Sequence, residues 1–337
     1  MDLPLEQFAL PAPAASCEAL GAGLINHTFL VTLTDGSRYV LQRINRHVFP
    51  DAAGLMANFA AVTRALAEQS DDPRRCLRLV PTRDGLPYLT DASLEAWRVM
   101  NYIEGGVSFE KPASPADFRA CGAAWGGFLH ALRGFPAHTL RETIPRFHDT
   151  PDRFRKLRAA VDADVCGRAK DAAREIGFAL EREADADTLL RLRESGALPL
   201  RVTHNDTKCA NVLLDAQTRE PLCVVDLDTV MPGLAAWDFG DAIRSGARDG
   251  ERLDLALYRA FAAGYLSACG ELTGAELASL PLGAWTMTLE CGVRFLTDYL
   301  EGDPYFRIAH PAHNLERARM HFALLRDMEE KRGELSL

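Results

Sequence analysis

A polar loop between two short apolar segments, in the second half of the chain, constrains the fold more than any other feature of the sequence. The apolar segments are residues 199–203 and 222–225, and they predict short buried strands. The loop, together with the residue after the second strand, supplies these polar side chains: His204, Asp206, Lys208, Asn211 and Asp226. Four residues separate Asp206 from Asn211, so the loop can turn both side chains to one side. The pattern predicts a polar site beside two strand ends.

The residue types in this loop predict phosphoryl transfer. The loop has the form H-x-D-x-x-x-x-N, which is the form of a kinase catalytic loop. In that chemistry Asp206 faces the acceptor hydroxyl as the base, and Lys208 offsets charge on the transferring phosphate. Asn211 and Asp226 supply the oxygen ligands that Mg²⁺ prefers. We therefore predict a kinase that uses ATP and Mg²⁺, with Asp206 and Lys208 catalytic and with Asn211 and Asp226 as metal ligands.

Two further acids follow the second strand. Asp228 comes two residues after Asp226, so an extended backbone would put both carboxylates on one face, where Asp228 could reach the substrate. Asp238 lies in a literal D-F-G sequence, but it follows residues 231–233, which predict a turn. We interpret Asp238 as the start of a helix that caps free N–H groups, and we assign the metal to Asp226.

The remaining sequence divides into a strand-rich part and a helical part. Residues 1–104 contain a hairpin signal at Asp35 and Gly36 and a helical pattern at residues 51–68. Other strands are predicted at residues 77–80, 86–89 and 97–103, and helices at residues 114–132, 152–185, 188–194 and from 237 onward. Residues 104–106 are the candidate hinge. The predicted fold class is α+β, with an N-lobe at residues 1–104 and a C-lobe at residues 105–337.

Composition excludes several functional classes. The net charge is −9, and Lys and Arg are mixed with acids throughout, which argues against a nucleic-acid partner. No apolar run reaches membrane-spanning length and no signal peptide is visible, so we expect a cytoplasmic protein with no membrane partner. None of the 8 cysteines has C-x-x-C spacing, which indicates reduced thiols rather than a zinc site. The oligomeric state stays open.

The loop, with residues 225–229 and 237–241, resembles the aminoglycoside phosphotransferase and choline kinase superfamily, which has a two-lobed, protein-kinase-like fold. Within it the chain is most similar to bacterial N-acetylhexosamine 1-kinases, through residues 23–26, 38–42, 147–151 and 291–306. The resemblance implies phosphoryl transfer from ATP to the anomeric hydroxyl of N-acetylglucosamine or N-acetylgalactosamine.

The resemblance implies that Asp206 is the base, that Asn211 and Asp226 bind magnesium and that Arg294 and Tyr305 line the sugar pocket. The other contacts are expected from the residues themselves. Sugar contacts are expected from Leu24, Asp206, Asp228, Arg294, Tyr305 and Phe306, and nucleotide contacts from Gly21, Gly23, Asn26, Gln42, Asn101, Tyr102 and Ile103. An arginine and aromatic faces suit a sugar, because they serve hydroxyls and C–H surfaces respectively. Leu24 stands where related sugar kinases can carry a histidine, which bears on the identity of the sugar.

One departure from protein kinases concerns the strand lysine. Gln42 occupies its position, and the following helix has no acid between Asp51 and Glu68. The two losses are consistent, since without the lysine no buried charge needs neutralising. They invite one alternative, a nucleotide-binding pseudokinase scaffold. The other alternative is a kinase of another small alcohol, such as homoserine, choline, an aminoglycoside or a methylthiosugar.

Overall fold

The computed structural model describes residues 3–20 and 25–337. The chain forms two compact units. The first comprises the residues up to Ser108 together with Ala131–Pro145 and Asn211–Pro232, and the second comprises Phe109–His130, Arg146–Ala210 and Gly233–Leu337. The predicted boundary after residue 104 remains a prediction.

An antiparallel sheet and one helix build most of the first unit. Its elements are β1 (Ala14–Ala19), β2 (His27–Leu33), β3 (Arg38–Ile44), α1 (Ala52–Ala67), β4 (Leu79–Val80), β5 (Leu89–Thr90) and β6 (Ala96–Asn101). In the described part of the chain the strand order is β1-β2-β3-β6-β4, and β5 also pairs with β6. The β2–β3 hairpin turns at Gly36, whose φ of +84° suits glycine, and the Asp35 carboxylate accepts the Ser37 N–H at 2.9 Å. The predicted hairpin is confirmed.

A second, smaller sheet completes the first unit. It joins β7 (Gly106–Val107), β9 (Val212–Asp215) and β10 (Pro221–Val224), in the order β10-β9-β7. A single 3₁₀ turn, Leu227–Thr229, follows β10. This sheet therefore carries Asn211 and Asp226 on the chain segments that enter β9 and leave β10.

The second unit is mostly helical. Its elements are α2 (Pro115–Ala131), α3 (Thr150–Ala163), α4 (Ala173–Leu180), α5 (Thr188–Glu194), β8 (Arg201–Thr203), α6 (Ala235–Gly246), β12 (Arg248–Asp249), β13 (Arg252–Leu253), α7 (Leu255–Ala268), α8 (Gly274–Leu300) and α9 (His313–Glu330), with β11 (Met231–Gly233) preceding α6. The α+β class, with an antiparallel sheet lobe and a larger helical lobe, is confirmed.

Two of the predicted secondary-structure segments are wrong. Residues 152–185 were expected to be helical throughout, but α3 ends at Ala163 because Asp164 takes a left-handed conformation at φ 37°. Residues 231–233 form a short strand rather than a turn. The charged 152–185 segment has helical composition, and composition alone does not locate a C-cap.

The long helix α8 organises the core of the second unit. It starts at a capping box in which Thr273 accepts the Glu276 N–H at 3.1 Å and Glu276 accepts the Thr273 N–H at 2.8 Å. Leu289, Val293 and Leu296 from α8 pack with residues of α3, α4 and α9 in one buried cluster. None of the helices in the described ranges is both long and apolar enough to cross a membrane.

Helices α6 and α8 approach each other closely through glycine. A Cβ atom at Gly240 would lie 2.2 Å from the carbonyl oxygen of Gly283, and one at Gly283 would lie 1.9 Å from that of Ala236. Only glycine allows this separation, because any side chain would overlap the facing backbone. The contact fixes α6 on α8 and so determines where the polar face of α6 lies.

Candidate active site

The predicted catalytic loop rests on the N-terminal half of α6. The Asp238 carboxylate accepts the backbone N–H groups of His204 and Asn205 at 2.8 and 2.7 Å. Three residues further along the same helix face, Asp241 accepts the Thr207 N–H at 2.9 Å. The interpretation of Asp238 as a helix cap is therefore wrong. Its carboxylate satisfies the loop backbone instead of its own helix.

The acids under the loop differ in their electrostatic surroundings. Burial raises the pKa of Asp238 to about 7, although the His204 and Asn205 N–H groups partly offset this effect. Burial also acts on Asp241, but Arg244 at 2.6 Å more than offsets it and the pKa of Asp241 is lowered. The two acids that anchor the loop thus have pKa values shifted in opposite directions, lowered for Asp241 and raised for Asp238.

The anchored loop presents a half-buried acid and a lysine together. The Lys208 Nζ donates to Asp206 Oδ2 at 3.0 Å, and both side chains keep about a third of their surface exposed, at 34% and 27%. His204 is fully buried, with its ring against Trp125 at 4.7 Å. The structure therefore brings together the two residues that were predicted to be catalytic. They lie on a loop whose backbone is anchored by Asp238 and Asp241.

The predicted metal ligands lie at one end of the β9–β10 ladder, within the first unit. The Val225 N–H donates to the Asn211 carbonyl at 3.0 Å, which extends the ladder past the Val212–Val224 pair. Asp226 is the next residue. An amide and a carboxylate are hard oxygen donors that suit a divalent cation. Among described residues there is no group of three or more His, Cys, Asp or Glu side chains able to hold a metal. The roles of Asn211 and Asp226 as metal ligands stay predictions.

The backbone after β10 differs from the prediction. Asp226 is left-handed at φ 61° and ψ 53°, and the chain then enters the 3₁₀ turn Leu227–Thr229. The prediction that Asp226 and Asp228 share one face of an extended segment is therefore wrong. Asp228 turns into the first unit instead, where only 3% of its surface is exposed. Its role as a substrate contact stays a prediction.

A buried arginine that sequence analysis missed holds Asp228. Arg98 is 1% exposed, and its Nη1 donates to Asp228 Oδ1 at 2.5 Å. The same guanidinium gives two hydrogen bonds to Gln42 Oε1, at 2.9 and 2.6 Å. The expectation that no buried charge needs neutralising is therefore wrong. A buried cation, Arg98, is present on β6, although β3 carries Gln42 instead of lysine. Gln42 of β3 pairs directly with Arg98 of β6, so the register of these two strands is the feature that would have located the arginine.

The predicted nucleotide-binding residues lie at several places in the first unit. Asn26 is buried and donates to Asp228 Oδ2 at 2.6 Å, so it joins Gln42 in the network around Arg98. Asn101 accepts the Arg78 N–H at 2.7 Å and donates to the Pro73 carbonyl at 3.0 Å, which holds the loop before β4.

Tyr102 and Ile103 come directly after β6. The Tyr102 ring contacts the Arg38 guanidinium at 4.3 Å, and Ile103 is buried. Gly21, Gly23 and Leu24 lie outside the described residues. The nucleotide contacts of this set stay predictions.

Three of the predicted sugar contacts are neighbours in the second unit. The Arg294 guanidinium lies 5.4 Å from the Phe147 ring and 5.5 Å from the Phe306 ring. Tyr305 packs edge-on against Phe306 at 4.8 Å and is 61% exposed. The structure thus brings Arg294, Tyr305 and Phe306 together. Their contact with a sugar stays a prediction.

A buried acid presents the two aromatic residues. Asp298 accepts the N–H of Tyr305 at 2.8 Å and that of Phe306 at 3.0 Å. It also accepts from Asn314 Nδ2 at 2.8 Å. Asp298 and Asn314 were both missed at the sequence level, although Asp298 falls inside the family-like segment 291–306. They fix the turn that carries the aromatic pair.

Solved structures of known proteins share this fold. An aminoglycoside phosphotransferase from Alicyclobacillus acidocaldarius has a TM-score of 0.65 at 17% identity, over 99% of this chain and 94% of that one. An amicoumacin kinase, in complex with AMP-PNP, Ca²⁺ and Ami, has a TM-score of 0.64 at 16% identity, over 94% and 88%. Choline kinase from Cryptosporidium parvum has a TM-score of 0.61 at 15% identity, over 95% and 91%. The predicted kinase-like fold is confirmed.

Fold and loop together define a small-molecule phosphotransferase. The chain belongs to the phosphotransferase enzyme family (APH), whose sequence model matches residues 16–272. The predicted enzyme class and superfamily are thereby confirmed. Arg294, Tyr305 and Phe306 lie beyond the matched range.

Proposed function

We propose that this protein transfers a phosphoryl group from ATP to the anomeric hydroxyl of an N-acetylhexosamine, either N-acetylglucosamine or N-acetylgalactosamine. The observation that carries the proposal is the half-buried Asp206–Lys208 pair on a loop whose backbone is anchored by Asp238 and Asp241. Pre-positioned charge of this kind suits phosphoryl transfer, which needs orientation and electrostatics more than covalent help. The aromatic and guanidinium cluster at Arg294 supports a sugar acceptor.

Each residue of the loop has a stated role in this proposal. Asp206 accepts a hydrogen bond from the acceptor hydroxyl, orients it and takes its proton late in transfer. Lys208 alternates between Asp206 and the transferred phosphoryl group, where its charge offsets the negative charge. Mg²⁺, held by Asn211 and Asp226, would neutralise the phosphate chain. The amicoumacin kinase structure, which contains AMP-PNP and Ca²⁺, supports the use of ATP and a divalent metal.

Another small alcohol is the second candidate acceptor. The solved structures with this fold include kinases named for choline, ethanolamine and aminopropanol. Their low identity leaves the acceptor of this chain open. The scaffold alternative is less well supported, because Asp206, Lys208, Asn211 and Asp226 are all present. We further propose a cytoplasmic location, where ATP is available.

The test is phosphate transfer from ATP across N-acetylhexosamines, simple hexoses and amino alcohols, with NMR to locate the phosphate. We expect an N-acetylhexosamine 1-phosphate. Asp206→Asn should lower kcat at least about 100-fold, and Lys208→Ala should lower it about 100-fold while Lys170→Ala, an exposed lysine, should not. A near-normal rate in Asp206→Asn, or phosphate on another hydroxyl, would refute the assignment.

A further inference from the structure

His148 is a buried histidine that the proposed mechanism does not use. It lies just before α3, and 4% of its side chain is exposed. Its Nδ1 lies 3.0 Å from Oε1 of Glu290 on α8, whose other oxygen accepts the Thr150 hydroxyl at 2.8 Å. Burial acts to raise the pKa of Glu290, but His148 and nearby arginines more than offset burial and the pKa is lowered. A carboxylate only accepts hydrogen bonds, so Nδ1 carries the proton and Glu290 fixes the orientation of the ring.

The second ring nitrogen of His148, Nε2, is buried as well. It makes no hydrogen bond to the residues that the structure describes. The ring itself lies 5.3 Å from the Trp237 ring of α6 and 4.5 Å from the Phe147 ring. Trp237 immediately precedes Asp238, the acid that holds the catalytic loop. A buried polar nitrogen without a hydrogen bond costs free energy that a phenylalanine in the same place would avoid, which points to a role beyond packing.

The two acids that anchor the catalytic loop lie within electrostatic reach of His148. Burial raises the pKa of Asp238 to about 7, and the charge of His148 works against that increase. Burial also acts on Asp241, where Arg244 and the charge of His148 outweigh it and lower the pKa. With Glu290, a single imidazole therefore faces carboxylates from both α6 and α8. The other charged or titratable groups that face these acids are Arg153, Arg294 and Tyr265.

Asp238 is the anchor that depends most on this charge. Its two oxygens accept the backbone N–H groups of His204 and Asn205 at 2.8 and 2.7 Å. Protonation would turn one of these oxygens into a hydroxyl and leave one N–H group with a poorer acceptor. Hydrogen bonds to a carboxylate are also about twice as strong as those to a neutral acceptor. A positive charge beside Asp238 therefore strengthens the support of the backbone directly before Asp206.

We propose that His148 and Glu290 form a buried positioning pair. Glu290 orients the imidazole, and the imidazole holds Asp238 in the carboxylate form that anchors the Asp206 loop. Both residues act through the loop backbone and not on the substrate. The inference rests on Asp206 as the base, as proposed above, and is independent of which acceptor is phosphorylated. It gives a role to two side chains that lie 142 positions apart in the sequence.

The main experiment measures kcat and KM for ATP in His148→Asn, with the acceptor that the wild-type enzyme phosphorylates fastest. Asparagine keeps an N–H donor toward Glu290 but lacks the ring and its charge. We expect kcat to fall about 10-fold or more, because weaker bonds to Asp238 displace the base, and KM for ATP to change less than about 2-fold. His310→Asn is the matched control, since His310 is an exposed histidine of the same unit, with Nε2 3.4 Å from Glu316 Oε2.

A second variant shows whether the pair acts as a unit. Glu290→Gln keeps the size of the side chain and removes the charge that orients the imidazole, so kcat should fall in this variant too. The two losses should not add in the double variant His148→Asn/Glu290→Gln, because either change breaks the same arrangement. Independent, additive losses would contradict a pair.

The dependence of kcat on pH separates this role from a merely structural one. In the wild type, kcat should fall as the pH drops through about 7, because Asp238 then takes up a proton. Loss of the His148 charge raises the pKa of Asp238 further, so in His148→Asn the fall should begin at a higher pH. His310→Asn should keep the wild-type midpoint. A lower kcat in His148→Asn with an unchanged midpoint would mean that His148 only fills space, and it would overturn the proposal.

Hydrogen exchange of the loop amides tests the proposal even if no acceptor is phosphorylated and the proposed function fails. At about pH 8, where Asp238 is largely ionised, mass spectrometry of a peptide covering residues 200–210 should show faster exchange in His148→Asn than in the wild type. Exchange in the β2–β3 hairpin should not change. Glu290→Gln is measured in parallel and decides the question if His148→Asn does not fold. Wild-type exchange in the loop, or equal acceleration in the hairpin, would overturn the proposal.

Discussion

Arg98 and Asp228 form a buried ion pair, 2.5 Å from Nη1 to Oδ1, in which the arginine is 1% and the acid 3% exposed. The guanidinium also lies 4.3 Å from the Phe59 ring of α1, so the pair joins the sheet, the helix and the turn after β10. Asp228 comes two residues after Asp226. The pair therefore holds the segment that presents the proposed metal ligand.

Removing one partner of this pair should destabilise the first unit strongly. Arg98→Met leaves the Asp228 carboxylate buried without its cation, which typically costs about 3–5 kcal/mol. The double variant Arg98→Met/Asp228→Asn should recover much of that loss, since no uncompensated charge remains. Urea unfolding of both single variants and the double variant measures the coupling. If the losses in unfolding free energy of the two single variants simply add up in the double variant, the ion pair is not the source of the stability.

Asp298 should control affinity for the acceptor rather than the rate of transfer. Asp298→Asn keeps the size of the side chain but turns an N–H₂ group toward the N–H donors of Tyr305 or Phe306, so the aromatic turn loses a support. A lost hydrogen bond to a charged group costs about 1.5–3 kcal/mol, or about 10-fold or more in KM. Steady-state kinetics checks this, with the exposed Asp162→Asn as the control. A fall in kcat at unchanged KM would contradict it.

The sequence indicated the Asp206 loop but gave no sign of the Arg98–Asp228 ion pair. The reason is the separation along the chain of the residues involved. Asp206, Lys208 and Asn211 lie within six residues, so their spacing alone indicates their chemistry. Arg98 and Asp228 are 130 positions apart and meet only through the sheet register and the left-handed backbone at Asp226. An apolar strand followed by two acids gives no sign of that backbone conformation, which is set by tertiary contacts.

Asp238 illustrates a different limit. Its position near a helix start was correctly predicted, but an acid there can serve either its own helix or a neighbouring chain segment. The choice depends on whether backbone N–H groups from elsewhere point at it, and those of His204 and Asn205 do. The sequence alone does not show that these N–H groups lie within hydrogen-bonding distance of the Asp238 carboxylate. The aromatic cluster at Arg294 was predictable only because residues 291–306 resemble a known family.

Cys291 should react as a thiolate at unusually low pH. Burial would raise its pKa, but Arg244, followed by His321 and Arg294, more than offsets burial and lowers it to about 6. Because the thiolate is the nucleophile, the rate of alkylation by iodoacetamide should rise through pH 6 and level off, and it should fall as the pH drops below 6. Peptide mapping by mass spectrometry measures this rate at each cysteine.

The alkylation rate of Cys291 is also measured in the Arg294→Gln variant, and the two pH profiles are compared. Loss of one nearby cation should move the midpoint of the rate to higher pH. The exposed Cys166 provides an internal reference for reagent reactivity in every sample. No alkylation of Cys291 until the pH approaches 9, the ordinary thiol value, would show that the surrounding cations do not stabilise the thiolate.

Gly240→Ala should destabilise the protein far more than alanine at a glycine with open space around it. Its Cβ would overlap the Gly283 carbonyl, 2.2 Å away, so α6 and α8 would have to separate. Overpacking of this kind costs about 1–3 kcal/mol or more. Gly177→Ala on α4 is the control, because its Cβ meets no atom within 4 Å and alanine favours the helix. Thermal unfolding compares the two, and equal Tm values would contradict the close contact.

Helix α6 carries the acids that hold the Asp206 loop, and α8 carries Arg294. The close contact through Gly240 and Gly283 packs these two helices tightly together. The contact therefore holds the support of the Asp206 loop and the helix that carries Arg294 at a fixed spacing within the second unit. If Asp206 is the base and Arg294 contacts the acceptor, as proposed, a new acceptor preference can evolve by exchange of side chains near the end of α8 while the helix that supports the loop stays unchanged.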